Sequence, residues 1–281
     1  MRKLAVFETV GLAYTFVFGN IGTIYRLCWF PALLALAVSL PFEIWPPVQV
    51  LASPGALPGA GAFLGGIALV LFQVFCWSMA LVVIHRVVLF GGRRTGTVFY
   101  FSAGPAEFLF TAMWIAFGAA FFAFGFLTVS LTALVGDMAS SISLPKQSGF
   151  AVILVFLTAG VWVACRLVPL APLMVVTERP AIRQSWRLSR GSAGRIFGVL
   201  ALSALPIVLL NYIVGLILLP IMFAFVSHAS QADLPGLLVW LKLAASAMTF
   251  VVGIPLLALG AAVLCYCFKA LAGYAPGELV D

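Results

Sequence analysis

The sequence has very little charge, and this scarcity excludes a soluble globular fold. Only 8% of its 281 residues are Asp, Glu, Lys or Arg, whereas 64% are hydrophobic. The mean hydropathy is +1.20, and a surface in contact with water needs far more polar side chains than this. The apolar runs are also much longer than the roughly 10 residues of a barrel strand. The composition therefore predicts an all-α, polytopic membrane helix bundle.

Residues that carry catalysis or bind metals are also scarce. The chain has two histidines, His85 and His228, and we expect them on opposite sides of the membrane. It has no HExxH, GxSxG or Walker A motif and no cluster of acids. Metal and acid–base sites need several side chains that converge on one side. We therefore predict no catalytic residue, no metal and no cofactor, and a protein that is not an enzyme.

The cysteines do not form a disulfide pattern. There are five of them, an odd number, and all lie in apolar segments. Cys265 and Cys267 flank Tyr266 and could form a metal or acylation site. Free cysteine also behaves as a small buried hydrophobic residue. We interpret the cysteines as packing residues.

Six apolar segments are long enough to cross a bilayer as helices. A hydrocarbon core about 30 Å thick needs about 20 apolar residues per helix. Prolines inside the fourth, fifth and sixth segments predict kinks. The chain 1–281 is interpreted as one integral membrane domain, with spans at about 27–45, 62–84, 108–134, 150–176, 196–226 and 243–268.

The basic residues are concentrated on one side of these predicted spans. The opposite side has short loops rich in Pro, Gly and Ser, with only Lys146 and Lys242 as basic residues. Because basic loops stay in the cytoplasm, both termini are predicted to be cytoplasmic. The residues on the basic side are Arg2, Lys3, Arg26, Arg86, Arg93, Arg94, Arg179, Arg183, Arg187, Arg190, Arg195 and Lys269.

The N-terminal stretch at about 3–21 is predicted to be an interfacial helix on the cytoplasmic side. Glu8 and Thr15 recur on one helical stripe, and the chain is expected to turn into the membrane at Arg26. The alternative is that this stretch forms the front half of one long first helix.

A second interfacial helix is predicted at about 180–190, where the scarce charge of the chain is gathered. Arg183, Arg187 and Arg190 follow one another at i, i+4 and i+7, so they share one helical face. Trp186 is a residue type that settles at the depth of the lipid headgroups. The arginine fork fits phosphate oxygens, and this predicts a lipid-phosphate site that also involves Arg166, Arg86, Arg93 and Arg94. Alternatively, the charges only keep this loop in the cytoplasm.

Arg166 is flanked on both sides by apolar residues within or near the end of the fourth span. A charge at the centre of a bilayer costs on the order of 3 kcal/mol on insertion scales, so it usually finds a partner. Glu107, at the start of the third span, is the acid best placed to form an ion pair with it, and Glu8 is second. A shallower Arg166 would reach the headgroups instead. It could also contact a substrate.

Two segments resemble a known membrane family. They are IHRVVLFGGRRTG, at about residues 84–95, and RLVPLAPLMVVTERPAIRQSWRLSRGSAGRIFGVL, at 166–200. Together they resemble the membrane domain attached to some glycerophosphoryl diester phosphodiesterases and its stand-alone relatives, the YciC-like bacterial inner-membrane proteins. In that family a separate soluble domain performs the catalysis. The resemblance therefore implies the fold and a bacterial inner-membrane location, and not phosphodiesterase activity.

These features favour a non-catalytic protein of the cytoplasmic membrane that acts in envelope or lipid homeostasis. Its expected partners are anionic headgroups of the inner leaflet, a membrane protein or a second copy of itself, and no nucleic acid. One alternative is a transporter or flippase-like carrier of a lipid or small anion, although acids within the spans, which ion-coupled carriers normally have, are missing. Another alternative is a membrane anchor for a separately encoded enzyme.

Overall fold

The computed structural model describes residues 4–44, 60–91, 102–141, 148–228 and 234–273. Within these ranges the chain is helical and contains no strand, so the predicted all-α class is confirmed. The predictions for Arg93 and Arg94, and for most of the loops opposite the basic side, fall outside the described residues.

The described part of the chain forms nine helices, three of them short. Four predicted spans, the second, third, fifth and sixth, lie inside long helices that extend beyond them at both ends, and the first begins inside a helix that ends at Ile44. In chain order the helices are α1 (Val6–Gly19), α2 (Ile21–Ile44), α3 (Ala60–Phe90), α4 (Pro105–Ser141), α5 (Ser148–Leu167), α6 (Leu170–Thr177), α7 (Ile182–Leu188), α8 (Ala193–His228) and α9 (Leu234–Ala272).

The helices are long and apolar enough for a multi-pass membrane protein. Among the described residues, five helical segments could cross a membrane, and a sixth is obtained if α7 and the first part of α8 are taken as one bent span. The predicted fourth span is split between α5 and α6, with the break at Val168 and Pro169. Proline has no N–H to donate and its ring clashes with the preceding turn, so it interrupts the helix here.

The N-terminal stretch forms a helix of its own, separated from α2 by a turn at Asn20. The chain therefore turns earlier than predicted, and Arg26 lies inside α2 rather than before it. Val10, Ala13 and Val17 of α1 are buried, and α1 packs against α8 and α9. Phe7 and Phe18 are exposed, so the outer face of α1 suits an apolar environment.

Buried side chains are concentrated at one end of the bundle. This packed end contains the first parts of α2, α4 and α8, the last parts of α3, α5 and α9, and all of α6. The remainder of the spans exposes large apolar side chains such as Phe121, Phe126 and Val208. Such exposure is expected where lipid is the solvent, since lipid tails are as apolar as these side chains. The packed end is therefore the part of the fold that can hold side chains in fixed positions.

All five cysteines are buried in this packing, and none of them forms a disulfide within the described residues. Cys265 and Cys267 belong to the same apolar cluster as Cys28 and Cys165, and Cys76 belongs to a smaller one beside it. Their positions agree with the interpretation of the cysteines as packing residues.

Tyrosine hydroxyls reach backbone carbonyls close to the prolines inside α8 and α9. Tyr25 donates to the carbonyl of Val251, whose usual helical partner would be the N–H that Pro255 lacks. Tyr14 of α1 donates to the carbonyl of Ser203 over 3.0 Å, beside Pro206. Burial raises the pKa of Tyr14 above its ordinary value. The Tyr25 hydroxyl supplies a donor for the carbonyl that Pro255 frees, and donors from neighbouring helices are one way in which spanning helices accommodate proline.

Candidate functional site

The basic segment occupies the turn between the fourth and fifth predicted spans. After α6 ends, Glu178 adopts a left-handed conformation with φ 51° and reverses the chain. The helix α7 then runs from Ile182 to Leu188, two residues shorter at each end than predicted, so Arg190 lies just after it, before Gly191 with φ 79°. The axis of α7 lies at 93° to the first part of α8. This angle is compatible with the interfacial helix that the arginine pattern predicts, and the position of α7 at the membrane surface stays a prediction.

Two serines attach α7 to the end of α5. The Oγ atoms of Ser185 and Ser189 both donate to the backbone carbonyl of Arg166, over 3.1 Å and 3.0 Å. Both serines are fully buried. They lie four residues apart, on the side of α7 away from the arginines. The helix break at Pro169 leaves nearby carbonyls without their usual helical donors. For the carbonyl of Arg166, the two serine hydroxyls act as the donors instead.

The Arg166 side chain is held between two indole rings. Its Cζ atom lies 5.0 Å from the ring centroid of Trp162 and 5.5 Å from that of Trp186. The two rings meet edge to face, with centroids 5.3 Å apart. These distances are in the range of cation–π contacts, which fix a guanidinium without neutralising it. Among the described residues, the buried Nε and Nη1 atoms of Arg166 have no hydrogen-bond partner.

Five of the eight predicted binding residues line one cavity of about 310 Å³. Arg166 is half-buried, whereas the other four lining side chains are exposed. In the described part of the chain, the cavity offers positive charge and N–H donors but neither a general base nor a nucleophile. It can therefore bind an anion, and its lining side chains are Arg166, Arg183, Trp186, Arg187 and Arg190.

The ion pair of Glu107 is formed with Arg86 and not with Arg166. The Arg86 Nη1 atom lies 3.2 Å from the Glu107 Oε1 atom, and the carboxylate is fully buried. The pair joins the end of α3 to the start of α4, which are packed neighbours. The predicted Arg166–Glu107 pair is thus corrected, and Arg86, whose charge the carboxylate offsets, does not line the cavity. Glu8, the second acid considered, is exposed on α1.

Two other polar side chains at the packed end have structural contacts. His85 is fully buried, and its Nδ1 atom lies 2.7 Å from the Leu81 carbonyl. The Nζ atom of Lys269 donates over 2.8 Å to the carbonyl of Val88, in the last turn of α3. A cation near the last carbonyls of a helix is favourable. Both groups join or stabilise helices and lie outside the arginine cavity.

Sequence reasoning missed three residues that shape the site, namely Trp162, Ser185 and Ser189. Each has a signal that can be seen in retrospect. Trp162 precedes Arg166 by four residues, so the two side chains share a helical face. The serines recur at the same spacing, opposite the basic face of α7, where a buried hydroxyl needs a carbonyl as its acceptor.

The chain matches no protein-family model, no curated protein and no solved structure. Fold and site together define its class as a multi-pass helical membrane protein with an arginine-lined cavity at the packed end of the bundle.

Proposed function

We propose that this protein is a non-catalytic membrane protein that binds a phosphate-bearing anion in the arginine cavity, at the cytoplasmic surface of a bacterial inner membrane. The observation that carries the proposal is the convergence of four arginines on one cavity. In a chain with only 15 basic residues, such convergence places more than a quarter of them around one small volume.

The chemistry of the cavity favours phosphate over a carboxylate or a halide. A guanidinium presents parallel N–H donors that match two oxygens of a phosphate or a carboxylate at once, but only a phosphate has further oxygens for the other arginines of the cavity. The buried Nε and Nη1 atoms of Arg166 lack acceptors among the described residues, and a buried donor without an acceptor costs about 1–3 kcal/mol. An anion with several oxygens would accept hydrogen bonds from Arg166 and from the exposed Arg183, Arg187 and Arg190 together.

The family assignment belongs to the same proposal. Residues 166–200 carry most of the resemblance to the phosphodiesterase-associated membrane domain, and they also supply every residue that lines the cavity. The predicted orientation supports a cytoplasmic site, because basic loops remain on that side. At this surface the accessible phosphates would belong to lipid headgroups or to soluble metabolites.

The experiment compares two pairs of arginine variants of the full chain. The protein is reconstituted in nanodiscs that contain equal amounts of phosphatidylglycerol and phosphatidylcholine, and retained lipids are counted by native mass spectrometry. Arg183→Gln/Arg187→Gln removes two charges from the cavity. The matched control, Arg179→Gln/Arg195→Gln, removes two exposed charges from the same turn that do not line the cavity.

We expect the cavity pair to lose its excess of phosphatidylglycerol and the control pair to keep it. If the arginines act only on topology, both pairs should behave alike, and equal retention in the two variants would refute the proposal. Titration with glycerol 3-phosphate in detergent tests whether a soluble phosphate occupies the same cavity. The readout is the thermal stability of the protein at each ligand concentration.

A flippase-like carrier is a second candidate, favoured by the fact that the cavity reaches Arg166. A carrier needs a charge near the membrane interior to accompany the phosphate of its substrate. In liposomes with a fluorescent anionic lipid, an external reductant quenches only the lipid of the outer leaflet. A carrier would bring the lipid of the inner leaflet to the outer one, so this lipid would lose its protection from the reductant. Such a loss that disappears in Arg166→Gln would support the carrier, and unchanged protection in the wild type would exclude it.

A further inference from the structure

An apolar groove on α5 adjoins the arginine cavity. Its volume is about 530 Å³, and it is lined by Leu154, Val155, Thr158, Ala159 and Trp162. The hydroxyl of Thr158 donates over 2.8 Å to the carbonyl of Leu154, so this donor is satisfied within the helix. The groove therefore presents an apolar surface beside a strongly basic one.

We infer that the occupant of the arginine cavity is the headgroup of an anionic glycerophospholipid whose acyl chain lies in this groove. The inference rests on the proposed function, since the cavity must first bind phosphate. It goes further by naming a membrane lipid, and not a soluble phosphate, as the ligand.

Trp162 connects the two surfaces. It lines the groove, and its ring contacts both Arg166 and Trp186, which line the cavity. Tryptophan concentrates at the boundary between headgroups and hydrocarbon, where one part of its ring is apolar and its N–H remains near water. A lipid changes from polar to apolar at this same boundary. The position of Trp162 thus matches the junction between a headgroup and its chains.

The groove has the direction and length that an acyl chain requires. Its residues and Arg166 follow one helical stripe with steps of one, three and four residues. From Leu154 to Arg166 the helix rises about 18 Å at 1.5 Å per residue. One leaflet contributes about 15 Å of a hydrocarbon core about 30 Å thick. A chain that starts beside Arg166 would therefore reach the middle of the bilayer near Leu154.

The opposite face of α5 is occupied by protein. Phe156 packs against Phe124 of α4, with ring centroids 5.4 Å apart. A Cβ atom at Gly160 would lie 3.5 Å from the ring of Phe124, so this face is in close contact with α4. The groove lies on the other side, where Leu154 and Val155 are exposed. Protein on one face and an open groove on the other fit a lipid bound to α5 at a defined position.

The experiment uses photo-crosslinking with two lipids that share one acyl chain. Phosphatidic acid and phosphatidylcholine each carry a diazirine near the middle of the chain, and each is incorporated separately in nanodiscs with the full-length protein. After irradiation, peptides of α5 are quantified by mass spectrometry. We expect the phosphatidic acid probe to label residues 154–162 at least fivefold more than the phosphatidylcholine probe does. Equal labelling would mean that only bulk lipid contacts α5, and it would overturn the inference.

Two alanine variants test the groove itself. Ala159→Phe fills it, whereas Ala164→Phe adds the same ring to an exposed position of α5 that does not line it. We expect Ala159→Phe to remove the preference for the phosphatidic acid probe and Ala164→Phe to retain it. If both variants retain the preference, the groove does not hold the chain.

A soluble ligand separates failure of this inference from failure of the proposed function. Binding of glycerol 3-phosphate is measured by isothermal titration calorimetry in detergent for the wild type, Ala159→Phe and Arg183→Gln/Arg187→Gln. Suppose that only the arginine variant loses glycerol 3-phosphate binding and that both lipid probes label α5 equally. The cavity would then remain a phosphate site, and the acyl groove would be refuted. If the arginine variant changes neither the lipid preference nor glycerol 3-phosphate binding, the phosphate site itself is refuted.

Discussion

The shared carbonyl of Arg166 allows a quantitative test of how the site is built. Ser185 and Ser189 donate to the same oxygen atom from one face of α7. In Ser185→Ala or Ser189→Ala the remaining serine still satisfies the carbonyl. A typical intramolecular hydrogen bond contributes about 0.5–1.5 kcal/mol, so we expect each single variant to lose only about 0.5 kcal/mol of stability.

The double variant should behave differently. Removal of both hydroxyls leaves the carbonyl without its serine donors in the packed end, and an unsatisfied buried acceptor costs about 1–3 kcal/mol. We therefore expect the double variant to lose about 2 kcal/mol, which exceeds the sum of the single losses by about 1 kcal/mol. It should also bind anions more weakly, because α7 carries Arg183 and Arg187, two of the four cavity arginines, and Arg190 lies just after it.

Reversible unfolding in mixed micelles with increasing dodecyl sulfate provides the measurement. The control is Ser192→Ala, which removes the hydroxyl of a half-buried serine in the same turn that is not one of the two donors to the Arg166 carbonyl. Losses that are strictly additive, or a double variant as stable as the wild type, would refute the shared-acceptor description of this attachment.

Three further predictions concern the charges. Replacement of Arg183, Arg187 and Arg190 by Gln should lower the preference for anionic lipid about 100-fold at low salt, because each basic residue near an anionic surface contributes about 1 kcal/mol of binding free energy. A lipid competition assay measures this preference, and an unchanged preference would contradict the prediction. Glu107→Gln should destabilise the protein in thermal unfolding by on the order of 2 kcal/mol, because the Arg86 charge loses its buried carboxylate, and Glu107→Gln/Arg86→Gln should recover part of the loss. Reporter fusions at both termini should show cytoplasmic activity; periplasmic activity at either end would contradict the predicted orientation.

The helices and the basic cavity could be predicted because their signals are local. Apolar runs of span length specify the helices, and the spacing of Arg183, Arg187 and Arg190 at i, i+4 and i+7 brings them to one side of the segment that contains α7. The helix break at Pro169 is likewise a property of one residue.

The partners of these residues could not be predicted in the same way. Glu107 could be paired with any arginine on the basic side, and the choice of Arg86 depends on α3 packing beside α4. Trp162 and the two serines have no charge, so they do not stand out in an apolar sequence. Their roles appear only when α5 and α7 are brought into contact, because the bonds that they form cross between helices.

The attachment of α7 through a main-chain oxygen has an evolutionary consequence. Because Ser185 and Ser189 bond to the backbone of residue 166 and not to its guanidinium, the identity of that side chain is free to vary while the helices keep their positions. Related proteins could thus exchange Arg166 for another residue and acquire a different ligand preference on an unchanged scaffold.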